Sequence, residues 1–297
     1  MEVEELVEKG WALGNLGKYE EAIDFFDQAI EIDPGLVRAW GGKGTTLMML
    51  ARYKEALNCF DRGTKIAPEF APVWASKGNA LIMLDRYREA INCYDRAIEI
   101  DPEFADAWYK KGLSLAALDK HKEAIDCYDR AIEIDPEFAK AWYEKGSSLA
   151  ALDRHEEAID CYDEAIEADP RYVAAWCDKG ASLYELRRHE EALGCFDRSI
   201  ELEPGHAIVW KNKGLALYAL GRYEEAFKCY KQATKIDPKY DVAWYNMGAS
   251  LAALGRLKAA ISCFEETLEL NAGFEEAREA KRKCLEALKE MAGENGP

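Results

Sequence analysis

Several signatures that would assign a chemistry or a compartment are missing from this chain of 297 residues. No stretch approaches the roughly 18 to 20 apolar residues that a membrane-spanning helix requires. The segment from Met1 to Gly10 carries Glu2, Glu4, Glu5 and Glu8 and no apolar run, so a secretory leader is not expected. Positive charge is scarce: 39 Lys and Arg stand against 56 Asp and Glu, a net charge of -17. Such a balance disfavours nucleic acid, whose affinity comes mainly from cation contacts to phosphate. There is no Gly-rich phosphate loop after a strand, no HExxH and no CxxC, so neither an enzyme nor a cofactor or metal site is expected. A Pro/Ser/Gly linker is also absent, which predicts one continuous body with no second domain. The composition agrees with a soluble, cytoplasmic, all-helical protein, and no membrane partner is expected.

What the sequence does contain is a period. Trp recurs at 40, 74, 108, 142, 176, 210 and 244, each 34 positions after the last. Gly follows each Trp by four, from Gly44 to Gly248, with Gly10 starting that column one step earlier. Pro34, Pro68, Pro102, Pro136, Pro170, Pro204 and Pro238 keep the same step. The units Phe104 to Glu137 and Phe138 to Arg171 agree at 26 of 34 positions, so the repeat belongs to whole units.

Each unit reads as two helices. Trp108, Gly112, Leu115 and Leu118 lie three or four apart on one stripe, the spacing of a core-facing helix. A second stripe, Ala124, Ile125, Tyr128, Ala131 and Ile132, is closed by Asp135-Pro136. Proline ends it because it lacks the N–H and crowds the preceding turn. Ala recurs at 22, 56, 90, 124, 158, 192, 226 and 260, with Phe or Tyr four residues later. This small-large pair, with the Gly of the first helix, predicts close helix contact with the ring filling the gap beside it.

These columns resemble the tetratricopeptide repeat family. The resemblance implies an all-α, right-handed superhelical solenoid of helix-turn-helix repeats. Eight repeats are expected, at about 3–36, 37–70, 71–104, 105–138, 139–172, 173–206, 207–240 and 241–274, in one array over 1–291. A capping helix follows at 275–291, lacking the Trp and Gly columns, and then a disordered tail at 292–297. Two positions depart from the family pattern. Lys stands before the Gly in seven repeats (Lys9, Lys43, Lys77, Lys111, Lys145, Lys179, Lys213), and Leu stands three after it in all eight. The Lys heads either form a cationic rail in the groove or snorkel toward Asp61, Asp95, Asp129 and Asp163, and the abundance of acids favours the second.

Seven of the nine Cys form a column at the repeat step. Equivalent helices lie roughly 8 to 10 Å apart, too far for a disulfide or for shared metal coordination. They read as small, half-buried, reduced residues. His121, His155 and His189 stand where other repeats carry Tyr and read as packing substitutes. The acids Glu156, Glu157, Asp160, Asp163, Glu164 and Glu167 read as a solvated face.

The resemblance places function in the groove lined by the first helices, at positions counted from each Trp. Its N-terminal third holds Trp11, Thr45, Met48, Met49, Asn79, Ile82 and Met83, beside Gly41, Gly42, Ala75 and Ser76. Met suits irregular apolar ligands, although packing between first helices would use the same residues. Further along stand Tyr109, Tyr143, Tyr184, Tyr218 and Tyr245, which either offer wide contact area to an extended peptide or stack on adjacent repeats. Asn212 and Asn246 occupy places where the family holds a ligand's main chain. Lys211 could begin a clamp for a terminal carboxylate, but Leu215 follows and no further layer of cations does. Asp106 with Lys140 and Lys110 with Glu144 are expected to pair across repeats. The reading is a non-catalytic scaffold binding an extended protein or peptide segment. The alternative is a homodimer formed through terminal repeats or the convex face, suggested by an exposed Trp11 beside Leu6.

Overall fold

The computed structural model describes residues 2–291 and Gly293. Among them are seventeen α-helices and no strand. They fall into two compact units, Met1–Leu152 and Asp153–Pro297, the boundary falling within the expected repeat 139–172. The first unit holds α1 (Val3–Asn15), α2 (Tyr19–Ile32), α3 (Val37–Met49), α4 (Tyr53–Ile66), α5 (Ala71–Ile82), α6 (Tyr87–Ile100), α7 (Ala105–Ala116), α8 (His121–Ile134) and α9 (Ala139–Ala150). The second holds α10 (His155–Ala168), α11 (Val173–Glu185), α12 (His189–Leu202), α13 (Ala207–Ala219), α14 (Tyr223–Ile236), α15 (Asp241–Ala253), α16 (Leu257–Leu270) and α17 (Glu275–Met291). Apart from Gly293, the expected tail at 292–297 lies outside the described residues. No described helix is long and apolar enough to cross a membrane.

Within each unit the chain is a stack of helical hairpins, the solenoid architecture expected. First helices also touch the next first helix, as α1 does α3, α3 does α5, α11 does α13 and α13 does α15. The core explains the Gly, Ala and aromatic columns together. Phe26, Phe60, Tyr94, Phe196, Tyr230 and Phe264 are at most 1% exposed, each burial stabilising by roughly 2 to 3 kcal/mol. The Phe26 ring is held between two glycines: a Cβ on Gly10 would lie 2.7 Å from its Cε1, and one on Gly42 2.4 Å.

Trp and Pro share a step because they touch. Each column Trp donates its indole N–H to the Pro carbonyl six residues back, as Trp108 does to Pro102 at 3.0 Å and Trp244 to Pro238 at 3.0 Å. A half-buried indole thus finds its partner in the loop that ends the preceding helix. Asp33 and Asp135 accept backbone N–H groups two residues on, fixing the same loop. The turn inside each hairpin needs one left-handed residue, met by Gly17, Gly221 and Gly255 and, with φ of 56° and 62°, by Ala51 and Arg187.

Helix α17 covers the end of the second unit. Ala277 and Cys284 are buried against it while Arg278, Arg282 and Lys283 face solvent. This is the terminal cap a solenoid requires.

Candidate functional site

The Lys column settles first. Lys43, Lys77, Lys111 and Lys145 lie 2.5, 2.7, 2.6 and 2.6 Å from Oδ1 of Asp27, Asp61, Asp95 and Asp129, and Lys179 and Lys213 bind Asp163 and Asp197 in the same way. Each pair joins a first helix to the second helix before it. Five of these ammonium groups also lie over the Trp of their own repeat, at 5.2 Å for Lys145 and Trp142. In these six repeats the stems snorkel and the heads are partnered, so they form a ladder between helices and offer no rail to a ligand, while Lys9, with no helix before it, lies 5.7 Å over the Phe25 ring.

Among the expected cross-repeat pairs, Asp106 and Lys140 form no ion pair, and Lys110 lies 5.3 Å over the Tyr109 ring. Neighbouring repeats are bridged by other charges, such as Arg38 with Glu4 and Glu8 and Arg256 with Glu224. The six acids of α10 are all exposed, although Asp163 belongs to the ladder.

In the first unit, the N-terminal residues converge on a depression. A cavity of about 230 Å³ opens among α1, α3 and α5, with Trp11, Gly41, Thr45 and Ser76 on its wall. Its origin is a missing side chain. Tyr109 occupies in repeat 105–138 the position of Gly41, is buried to 7% exposure, and packs 4.9 Å from Phe138, the residue just before α9. Tyr245 likewise stacks 5.1 Å from Phe274. Phe70 stands at that aromatic position for the second repeat, but with Gly41 in place of a ring it remains 47% exposed, lining the cavity. A Cβ on Gly41 would meet nothing within 4 Å. Sequence reasoning missed Phe70, although an aromatic one residue before most first helices is visible as a column of its own.

At the C-terminal ends of the three helices, Met49 and Met83 close α3 and α5 with 63% and 48% exposure, and Leu16, also missed, ends α1 at 74%. Met48 and Ile82 are half-buried and pack into the core. Thr45 is exposed, and the Tyr94 hydroxyl donates to Asn79 Oδ1 at 2.8 Å. Trp11 is half-buried with its ring edge-on to Phe26 at 5.7 Å, and Leu6 is buried at 2% exposure. The exposed Trp11–Leu6 patch that suggested a homodimer is therefore not present.

The tyrosines differ in role. Tyr109 is a core residue, whereas Tyr143 is half-buried. In the second unit Tyr184 lies 5.1 Å from His189, Tyr218 is partly exposed and 5.0 Å from Tyr223, and Tyr245 is held by Phe264 and Phe274. Asn212 reaches Cys177 Sγ at 3.9 Å, and Asn246 is half-buried. Burial lowers the pKa of Lys211 beside them.

All nine cysteines are free thiols and are buried, more deeply than the half-burial expected. Burial pushes Cys59, Cys93, Cys127, Cys195, Cys229 and Cys263 from an ordinary 9.0 to about 11, and Cys177 to about 12. Among the described residues no group of three His, Cys, Asp or Glu is placed to hold a metal.

Family comparison agrees with this architecture. The model described as cilia and flagella-associated protein 70 C-terminal domain matches residues 104–295, that of the TPR repeat 78–119, and that of the tetratricopeptide repeat 16–80. No curated protein matches. Among solved structures, YrrB, described as a TPR protein with an unusual peptide-binding site, is 24% identical and aligns over 64% of this chain and 97% of its own with a TM-score of 0.56. MamA is 26% identical over 54% of this chain and 94% of its own, with a TM-score of 0.52. The APC/C hetero-tetramer Cut9-Hcn1 shares the fold at 17% identity, over 90% of this chain and 52% of that one, with a TM-score of 0.63. With its repeat columns, its paired helices and these matches, the chain belongs to the tetratricopeptide repeat family.

Proposed function

We propose that the chain is a non-catalytic scaffold that holds an extended segment of a protein partner along its first helices, anchored by one large apolar side chain in the Gly41 cavity. The observation that carries this reading is the substitution of Gly41 for the ring that fills the equivalent place beside Phe138 and Phe274. An apolar side chain from a partner would restore there the contact that Tyr109 and Tyr245 make internally. Exposed Met49, Met83 and Leu16 extend the apolar surface, and flexible thioethers adapt to varied partners. Thr45 and Asn79 supply hydrogen bonds to a main chain. The net charge of -17 leaves nucleic acid an unfavoured partner.

The test is selection of random displayed peptides on the full chain, followed by calorimetric titration of the selected sequences. Selected peptides are expected to share one large apolar residue. Gly41→Tyr, which copies repeats of the same chain, should weaken them by about tenfold or more, worth about 1.4 kcal/mol. Undiminished binding by Gly41→Tyr would overturn the reading.

A further inference from the structure

The Lys–Asp ladder is interrupted once, and both partners change together. Lys231 stands at the repeat position of Asp27, Asp61, Asp95, Asp129, Asp163 and Asp197, and Met247 stands at the position of their lysines. The ladder resumes one repeat later, where Lys281 lies 2.8 Å from Glu265. On α14, Lys228 and Lys235 flank Lys231, at positions that carry Asp126 and Glu133 in α8. Spaced three and four apart, the three lysines share one helix face. None takes part in an ion pair among the described residues.

A cavity of about 580 Å³ opens between α14 and α15, floored by Phe227, Trp244 and Met247 and rimmed by Lys228, Lys231 and Lys235. The same chain provides its control. A cavity of about 510 Å³ includes the equivalent positions Ile91, Asp95, Trp108 and Lys111, and extends onto α8 at Glu123, Asp126 and Arg130. There Lys111 lies 2.6 Å from Asp95 and 5.4 Å over Trp108, so the charges satisfy each other and the ring face is covered. At α14 the acid has become a cation, and no ammonium covers Trp244 among the described residues. The result is a basic rim over an uncovered aromatic floor, in a chain whose net charge is -17.

We propose that the α14–α15 cavity is a second recognition site, taking an acidic peptide segment in which carboxylates alternate with an apolar side chain. Lys228 to Lys235 spans about 10.5 Å of helix, and same-face residues of an extended peptide recur about every 6.8 Å, so two carboxylates on one face lie within reach of the flexible lysine side chains. Alternate residues of such a peptide face one side, so carboxylates reach the lysines while the intervening apolar side chain seats on Trp244 and Met247. The site uses the second-helix side of the repeat and does not rest on the Gly41 reading.

Fluorescence anisotropy of the full chain with a labelled peptide alternating glutamate and leucine tests this. The unaltered chain is expected to bind it, with affinity falling as salt rises. The double variant Lys231→Asp with Met247→Lys, which reinstates the ladder used elsewhere in the chain, should weaken binding by about tenfold or more. A glutamine counterpart of the peptide should lose as much, whereas Gly41→Tyr should leave binding unchanged. Equal binding by the ladder-restored variant, or no binding by the unaltered chain, would overturn the proposal. Preference for a single-stranded oligonucleotide over the peptide would also overturn it, marking a phosphate surface.

Discussion

Gly42 has no side chain where Phe26 has its ring: a Cβ there would lie 2.4 Å from Phe26 Cε1. One residue earlier on the same helix, Gly41 faces open space. These neighbours make opposite predictions for the same substitution. Gly41→Ala should raise stability by about 0.5 to 1 kcal/mol, the helix-propensity gain over glycine. Gly42→Ala should lower it by roughly 1 to 3 kcal/mol, because the ring or the helix must shift. Urea unfolding of the two variants decides this, and destabilisation by Gly41→Ala would show that the cavity wall is tighter than described.

Lys145 and Asp129 represent the ladder, half-buried on the lysine side and stacked on Trp142. Asp129→Asn should cost about 0.5 to 1 kcal/mol, and a double-mutant cycle with Lys145→Met should return a coupling of similar size. The coupling should shrink in high salt as exposed charges are screened. A cycle that sums to zero would mean that the lysine stem contributes through packing alone.

The buried thiols bear on pH. An unfolded thiol has its ordinary value near 9.0 and the buried Cys127 thiol one near 11. Between those values the folded chain keeps a proton that the unfolded chain has released, so this stability is whole below about pH 9 and is lost as pH rises through about 11. The urea midpoint is expected to fall across this window, and less steeply in Cys127→Ala. At about pH 8 the native thiols should react slowly with a neutral thiol reagent, since both burial and a raised pKa keep the thiolate scarce. Fast labelling of all cysteines in the folded chain would contradict this.

Much of the molecule was legible because a helix face depends on residues three and four apart. The Trp, Gly, Ala and Pro columns therefore prescribed the helices, their pairing and the ring packed on glycine. The candidate site was legible only in part. Tyr109 and Gly41 hold the same repeat position, yet one is core and the other opens a cavity. The glycine is visible in the sequence, but its consequence is not: the ring that Tyr109 packs on is Phe138, and the ring Gly41 leaves uncovered is Phe70, each 29 residues further on, and no local pattern connects them.

The sequence by itself determined the repeat, the helices and the residues that fill the core, since these follow from periodic burial along each helix. Tertiary structure alone decided which way the lysine heads turn, that Leu6 is covered, and where a missing ring or an exchanged ion pair leaves room. Those outcomes depend on atoms brought together by stacking one repeat on the next, where the space between two helices is set by side chains on both.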